Sequence, residues 1–182
     1  MKKVAALFLT VFMLFAFGCT AAAETQSDEE TQDDSKLSFF LLGLDGEFCT
    51  EELLSESELT MINFWEPWCR PCVREMPELE KLYQDYKDEG FNIIGVSGYC
   101  KLDFDEEGLL TAVDADGSIG KIIETTGVTY PIFINVSTGL DEFQSSYVPT
   151  TVFFDSTGKL VGEQVIGARS YDDWAEIIDG LL

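Results

Sequence analysis

Hydrophobic and polar positions alternate in blocks that switch period along the chain. Ser38 to Thr50 reads as strand, turn, strand, with Asp45-Gly46 at the turn, which predicts a β-hairpin. Glu51 to Ser57 reads as a short helical turn. Leu59 to Trp65 is almost continuously apolar, the pattern of a strand buried on both faces. Met76, Leu79, Leu82, Tyr83 and Tyr86 then fall near one face of a helix, which Gly90 ends and Pro77 interrupts. Phe91 to Ser97 is a second buried strand. A strand, a long helix and a strand predict a right-handed βαβ unit with a parallel pair. Gly98 to Gly117 has no clear period. Ile119, Ile122 and Ile123 predict a helix from Ser118 to Gly127, followed by a strand over Val128 to Asn135 and a helical stretch over Leu140 to Tyr147. Thr151 to Asp155 and Leu160 to Ile166 form a second predicted hairpin around Ser156-Thr157-Gly158. Ser170 and Asp173 resemble a capping box, and Trp174, Ile177, Ile178 and Leu181 give the apolar face of a closing helix.

The first 36 residues follow other rules. Met1-Lys2-Lys3 is a basic start, and Val4 to Phe17 is an apolar run of 14 residues, short for a membrane span and suited to a signal segment. Ala16-Phe17-Gly18-Cys19 resembles a bacterial lipobox, in which Cys19 is lipidated and becomes the new N-terminus. The lipobox pattern prefers Leu where Ala16 stands and a small residue where Phe17 stands, and Ala21-Ala22-Ala23 offers an ordinary cleavage site just beyond. The expected organisation is therefore a lipoprotein-type signal peptide over 1–18, an acidic flexible tether over 19–36 and one folded domain over 37–182. Thr20 to Lys36 is too polar to order itself and would reach roughly 20–25 Å as a flexible coil. Each processing route leaves the domain outside the cytoplasm, on the membrane as a lipoprotein or through an uncleaved anchor, or free as a secreted protein, where disulfides persist.

Composition narrows the partners. The 182 residues carry 11 Lys+Arg against 34 Asp+Glu and no histidine, a net charge of −23. Such a surface repels nucleic acid and anionic headgroups, keeps the protein soluble and favours basic partners if it favours any.

The chemistry concentrates at Trp68-Cys69-Arg70-Pro71-Cys72, where the apolar strand gives way to the helix. Two cysteines on a first helical turn suit reversible disulfide exchange. The N–H groups there have no intrahelical partners and the helix dipole is positive, so a Cys69 thiolate is stabilised and its pKa should fall below about 8.5. Arg70 adds a cation, and Pro71 fits a position where a missing N–H costs little. Cys72, one turn further in, reads as the resolving thiol. Glu75 lies one turn beyond Cys72 on the same face, placed to exchange a proton with it; the competing reading is an ordinary exposed glutamate.

Trp-Cys-X-Pro-Cys after a strand resembles the thioredoxin superfamily. The longer stretch from Asn63 to Pro77, Asn-Phe-Trp-Glu-Pro-Trp-Cys-Arg-Pro-Cys-Val-Arg-Glu-Met-Pro, is similar to the ResA/TlpA branch of extracytoplasmic, membrane-tethered members. Asn63 stands where cytosolic thioredoxins carry an aspartate, and Glu75 follows the second cysteine by three residues as in that branch. The resemblance spans Leu37 to Leu182. It implies an α/β thioredoxin-like fold: a central mixed sheet flanked by helices, with an N-terminal hairpin and an insertion over Gly98 to Gly127. It also implies a cis-proline at Val148-Pro149 packed against the disulfide, with Pro67 and Trp68 on the rim where substrate docks. The implied activity is thiol–disulfide exchange on envelope proteins, in the reductive direction, with electrons from a membrane thiol carrier. An apocytochrome c or a methionine sulfoxide reductase would be a fitting substrate. Nothing in the pattern calls for a cofactor or a metal.

Cys49 and Cys100 remain. A structural disulfide between them is the first expectation, from parity and from strands that a thioredoxin-like sheet can set side by side. Two free thiols, a third redox cysteine and a Cys₄ zinc site with Cys69 and Cys72 are the alternatives. Two other activities stay open. A thioredoxin-fold peroxidase would need Thr or Ser three residues before its reactive cysteine, where Glu66 stands. A non-enzymatic binding lipoprotein would use its cysteines only as braces.

Overall fold

A computed structural model describes residues 37–182 apart from Leu109 and Ala115, with the side chains of Leu102 and of residues 110–113 also left aside. The expected signal segment, the tether and Cys19 lie outside the described residues. Nine strands and three α-helices are described: β1 (Phe40–Gly43), β2 (Phe48–Thr50), β3 (Leu59–Phe64), α1 (Arg70–Tyr86), β4 (Phe91–Ser97), β5 (Lys101–Phe104), β6 (Leu110–Val113), α2 (Ser118–Thr126), β7 (Ile132–Asn135), β8 (Thr150–Asp155), β9 (Leu160–Ile166) and α3 (Tyr171–Asp179). Seven strands form one mixed sheet in the order β2-β1-β7-β4-β3-β8-β9, and β5 with β6 form a separate two-stranded ribbon. The pairs β3/β4 and β4/β7 are parallel, and the others are antiparallel. The predicted hairpins, the parallel pair and the α/β architecture are all present.

Side chains alternate faces along each strand and so divide the core in two. Leu59 and Met61 of β3, Phe91 and Ile93 of β4 and Phe153 of β8 pack under the helices, against Met76, Leu79 and Leu82 of α1, Ile119 of α2, and Trp174 and Ile178 of α3. Ile62, Phe64, Ile94, Val96, Val152 and Phe154 face the other way. They meet Phe39, Leu41, Leu54 from a 3₁₀ turn over Glu51–Glu56, and Leu140. The helix α1 runs on into a 3₁₀ turn at Lys87–Glu89 and stops at Gly90, whose φ of +89° suits glycine. The Gly90 carbonyl accepts the N–H groups of Glu58 and Leu59 at 2.8 and 3.1 Å, which fixes the start of β3.

Three expectations change. The stretch over Gly98 to Gly117 contains the ribbon β5/β6, whose two arms of four residues are too short to set a clear period. The helix expected over Leu140 to Tyr147 contracts to a 3₁₀ turn at Asp141–Phe143, because Gln144 is already extended and Phe143 is seated edge-on against Phe154, with centroids 5.1 Å apart. The strand expected from Val128 begins only at Ile132; Pro131 has no N–H to give, and its carbonyl accepts from Gly95 N at 2.9 Å.

Gly95 bears on the turn between β3 and α1 because it packs against Trp65, the residue after β3. A Cβ there would come within 2.5 Å of Ile132 Cδ1 and 3.2 Å of Trp65 Nε1. Gly95→Ala should therefore cost roughly 1–3 kcal/mol and lower the Tm by about 3–10 °C. Adding Ile132→Val, which removes the nearest clashing atom, should restore part of that loss. Thermal unfolding of the two variants checks both, and a double variant no more stable than Gly95→Ala would place the strain elsewhere.

Candidate active site

The redox turn is built where β3 ends and α1 begins. Trp65 N still donates to Val96 O at 3.0 Å, and Cys69 N then turns back to Glu66 O at 2.9 Å. Cys69 is the N-cap of α1 in extended backbone, with Pro71 in the first turn. Cys69 and Cys72 are joined as a disulfide. The Sγ of Cys69 accepts the Cys72 N–H at 3.2 Å and lies 3.4 Å from the carbonyl oxygen of Val148. The Val148–Pro149 peptide is cis. Pro149 is buried, its carbonyl accepts Gly167 N at 2.8 Å, and Thr150 Oγ1 donates to Tyr147 O at 2.6 Å. The two sulfurs thus sit between a helix N-terminus and this loop. In the disulfide both sulfurs are nearly covered, with Cys69 4% exposed and Cys72 1%. Around this nearly closed pair, Trp68 is 67% exposed and Tyr147 71%.

Glu75 is not a surface residue. It is 3% exposed, and its Oε1 accepts two hydrogen bonds, from Trp174 Nε1 at 2.8 Å and from Arg169 N at 2.7 Å. Its Oε2 has no partner. Burial pushes its pKa up, against the pull of the Arg169 N–H, the Trp174 indole, the Arg169 charge and, last, the Asn63 amide. Asn63 is buried nearby in the core and donates to Thr151 Oγ1 at 3.0 Å. The sequence left Glu75 between two readings, and the structure removes the surface one. Trp174 carried a missed signal: a buried indole N–H needs an acceptor, so the closing helix had to meet a polar group.

Glu66 is a second carboxylate beside the turn. Its Oε2 accepts Ser97 Oγ and its Oε1 accepts Gly98 N, both at 3.0 Å, so it braces the loop after β4 against the turn before Cys69. Burial raises its pKa as well.

The expected Cys49–Cys100 disulfide is not formed, and both thiols are free. Sheet order explains this. Cys49 lies on β2, three strand spacings or about 14 Å from β4, and a disulfide needs Cα atoms within about 7 Å. Cys49 packs on the face opposite the helices, and Cys100 packs on the helix side. The same separation removes a Cys₄ zinc site. Burial raises the pKa of both thiols, helped at Cys49 by Glu56 and at Cys100 by Glu66. Neither is an activated thiolate.

A profile of the AhpC/TSA family matches residues 33–162, well over half of the chain. The chain belongs to the AhpC/TSA family. Among its relatives is the thiol-disulfide oxidoreductase ResA of Halalkalibacterium halodurans, 30% identical over 70% of this chain and 65% of that protein. The ResA of Bacillus thuringiensis is 28% identical over 93% of this chain and 92% of that protein. A thioredoxin-family thiol:disulfide interchange protein from Chlorobium tepidum superposes with a TM-score of 0.62 at 21% identity, over 79% of this chain and 92% of its own, which supports the fold. The chain is a thiol-disulfide oxidoreductase of thioredoxin-like fold, and the reading as a mere binding protein falls away.

The position of Glu75 in this oxidoreductase has a measurable consequence. A carboxyl whose pKa is higher folded than unfolded takes up a proton on folding. Its contribution to stability is fully present below the ordinary value of 4.5 and is lost as pH rises through the folded pKa. Glu75→Gln keeps the acceptor for Trp174 and Arg169 and places an uncharged group at the unpartnered oxygen. The Tm of the oxidised variant should match that of the parent near pH 4 and exceed it by several degrees at pH 8. A difference that does not vary with pH would count against a buried, charge-penalised carboxyl.

Proposed function

We propose that this oxidoreductase reduces disulfides of proteins outside the cytoplasm, with Cys69 attacking and Cys72 resolving. The observation that carries the assignment of roles is Cys69 Sγ, held as the cap of α1 beside the cis-proline loop. The helix N–H that meets this sulfur stabilises a thiolate there, while Cys72 lies inside the first turn without that help. A Cys69 thiolate attacks one sulfur of the substrate disulfide, forming a mixed disulfide and releasing one substrate thiolate. Cys72 then loses its proton and attacks Cys69 Sγ, which closes the Cys69–Cys72 disulfide and releases the second substrate thiolate. Two electrons pass to the substrate, and a membrane thiol carrier resets the pair.

Glu75 is the proton acceptor for Cys72. Burial raises the carboxyl's affinity for a proton, and Oε2 is left open while Oε1 holds the protein's own donors. Trp68, Pro67, Val148 and Pro149 form the docking edge, where the loop backbone can pair with an extended substrate segment. An apocytochrome c or a methionine sulfoxide reductase fits this chemistry. Attachment is through lipid on Cys19; among the described residues no helix is long and apolar enough to cross a membrane. Peroxidase chemistry is disfavoured by Glu66, whose carboxylate occupies the place of the needed hydroxyl and is committed to Ser97 and Gly98.

The protein should catalyse insulin reduction by dithiothreitol and consume no peroxide. Cys69→Ser should abolish the activity, and Cys72→Ser should accumulate a mixed disulfide with substrate. Glu75→Gln should slow resolution of that mixed disulfide by about 100-fold near neutral pH and leave the first attack nearly unchanged. Full insulin reduction by Cys69→Ser, or an unaltered resolution step in Glu75→Gln, would refute the corresponding role.

Intact mass of the protein from its native envelope should show a chain starting at Cys19 with a diacylglyceryl adduct. A product starting at Glu24 would mean ordinary secretion instead.

A further inference from the structure

The redox turn has a shaped neighbour. A shallow cleft of about 180 Å³ opens beside Trp68, lined by Pro67, Trp68, Tyr99, Asp116 and Ser118. Trp68 is 67% exposed and Tyr99 39%. The Tyr99 hydroxyl donates to Asp116 Oδ2 at 3.3 Å, and Ser118 N donates to Asp116 Oδ1 at 3.0 Å. The wall carrying Tyr99 is braced from the redox turn itself. Glu66 holds Ser97 and Gly98, and Ser97 Oγ in turn accepts Tyr99 N at 3.1 Å. The cleft is therefore positioned by the same loop that presents Cys69.

Its chemistry has one sign. Hydrogen bonding from Ser118 lowers the pKa of Asp116, which keeps it ionised, and the charges of Asp116 and Asp114 hold the Tyr99 proton more tightly than usual. Among the described residues no cation lines the cleft. Lys101, just beyond on β5, is turned to Asp103 at 3.8 Å. An ionised carboxylate beside two exposed aromatic rings suits a cation on an apolar stem. The surplus of 34 Asp+Glu over 11 Lys+Arg draws such a group inward from a distance.

We propose that this cleft takes a lysine or arginine side chain lying next to a disulfide cysteine of the protein substrate. The inference rests on the reductase reading above and adds its specificity. The cation pairs with Asp116 and lies against Trp68 or Tyr99. The oxidoreductase thus selects substrate disulfides set in basic sequence.

The test uses two peptides, each with one intramolecular disulfide, identical except for Lys or Glu beside one cysteine. The reduced protein should act on the Lys peptide with kcat/KM about 10-fold higher at low salt, the size expected from one exposed ion pair plus one cation–π contact. Asp116→Asn should cut that ratio to about 2-fold, the residue of overall charge, and Asp116→Lys should invert it. Glu163→Gln, an exposed change on β9, should leave the ratio at its parent value. Equal rates on the two peptides in the parent, or a ratio that survives both Asp116 substitutions, would overturn the cleft and leave the reductase reading standing. Failure to reduce either peptide would overturn both.

Discussion

A helix that starts directly after a buried strand exposes N–H groups with no partner, and some acceptor must meet them. In this protein the acceptor is a sulfur. Cys69 occupies the cap position that serine, threonine or aspartate usually fills, and its Sγ takes the N–H of Cys72. Much of the site follows from that substitution of sulfur for oxygen. The strand β3 must deliver the chain end-on to α1. Pro71 must sit where its missing N–H does no harm. The Val148–Pro149 loop must close over the sulfurs from β8. A charged sulfur at this cap gains a charge-assisted hydrogen bond that a sulfur one turn further in does not. Two cysteines of identical intrinsic chemistry are thereby made unequal by position alone.

The core under the helices is less apolar than a structural core needs to be. Glu75 Oε2, Trp65 Nε1 and Tyr130 Oη are all buried there without a hydrogen-bond partner. Burial and the charges of Glu75 and Glu80 push the Tyr130 pKa upward, so the phenol stays neutral. A carboxyl in this setting is a standing energetic cost unless it is protonated. Well-packed proteins tolerate such costs mainly where function requires them, and this one lies one helical turn from Cys72. Asn63 sharpens the point, because an amide at the neighbouring buried position leaves Glu75 as the titrating group on that side.

Wherever local pattern and final contacts agree, the sequence was readable. Asp45-Gly46 fixes a turn by its own backbone, and Gly46 indeed adopts φ +88°. Ser170 and Asp173 bond each other across the first turn of α3, as their spacing indicated. The separation of Cys49 from Cys100 and the burial of Glu75 depend on what lies across the sheet rather than along the chain. Parity and expected strand neighbours suggested a bond between Cys49 and Cys100, but β1 and β7 stand between the Cys49 strand and β4, which Cys100 follows. The ribbon β5/β6 pairs only with itself in the sheet network, and its two arms of four residues are too short to set a clear period. Glu75 was legible as a candidate by its spacing from Cys72. Its burial was not, because its partners lie 94 and 99 residues away.

Two carboxylates bracket the disulfide, Glu66 three residues before it and Glu75 three residues after it, and burial raises the pKa of both. Their bonding separates their tasks. Each oxygen of Glu66 holds its own donor, Ser97 Oγ on one and Gly98 N on the other, so protonating it would weaken a brace between two loops. Glu75 gathers both donors onto Oε1 and leaves Oε2 open, so it can gain or lose a proton there without releasing Arg169 N or Trp174. A buried carboxylate that is fully bonded is a fastening. One that is anchored by a single oxygen keeps its position while its charge changes, which is what the proton transfer proposed for Glu75 and Cys72 would demand. The number of satisfied oxygens distinguishes the two roles here more sharply than the direction of either pKa.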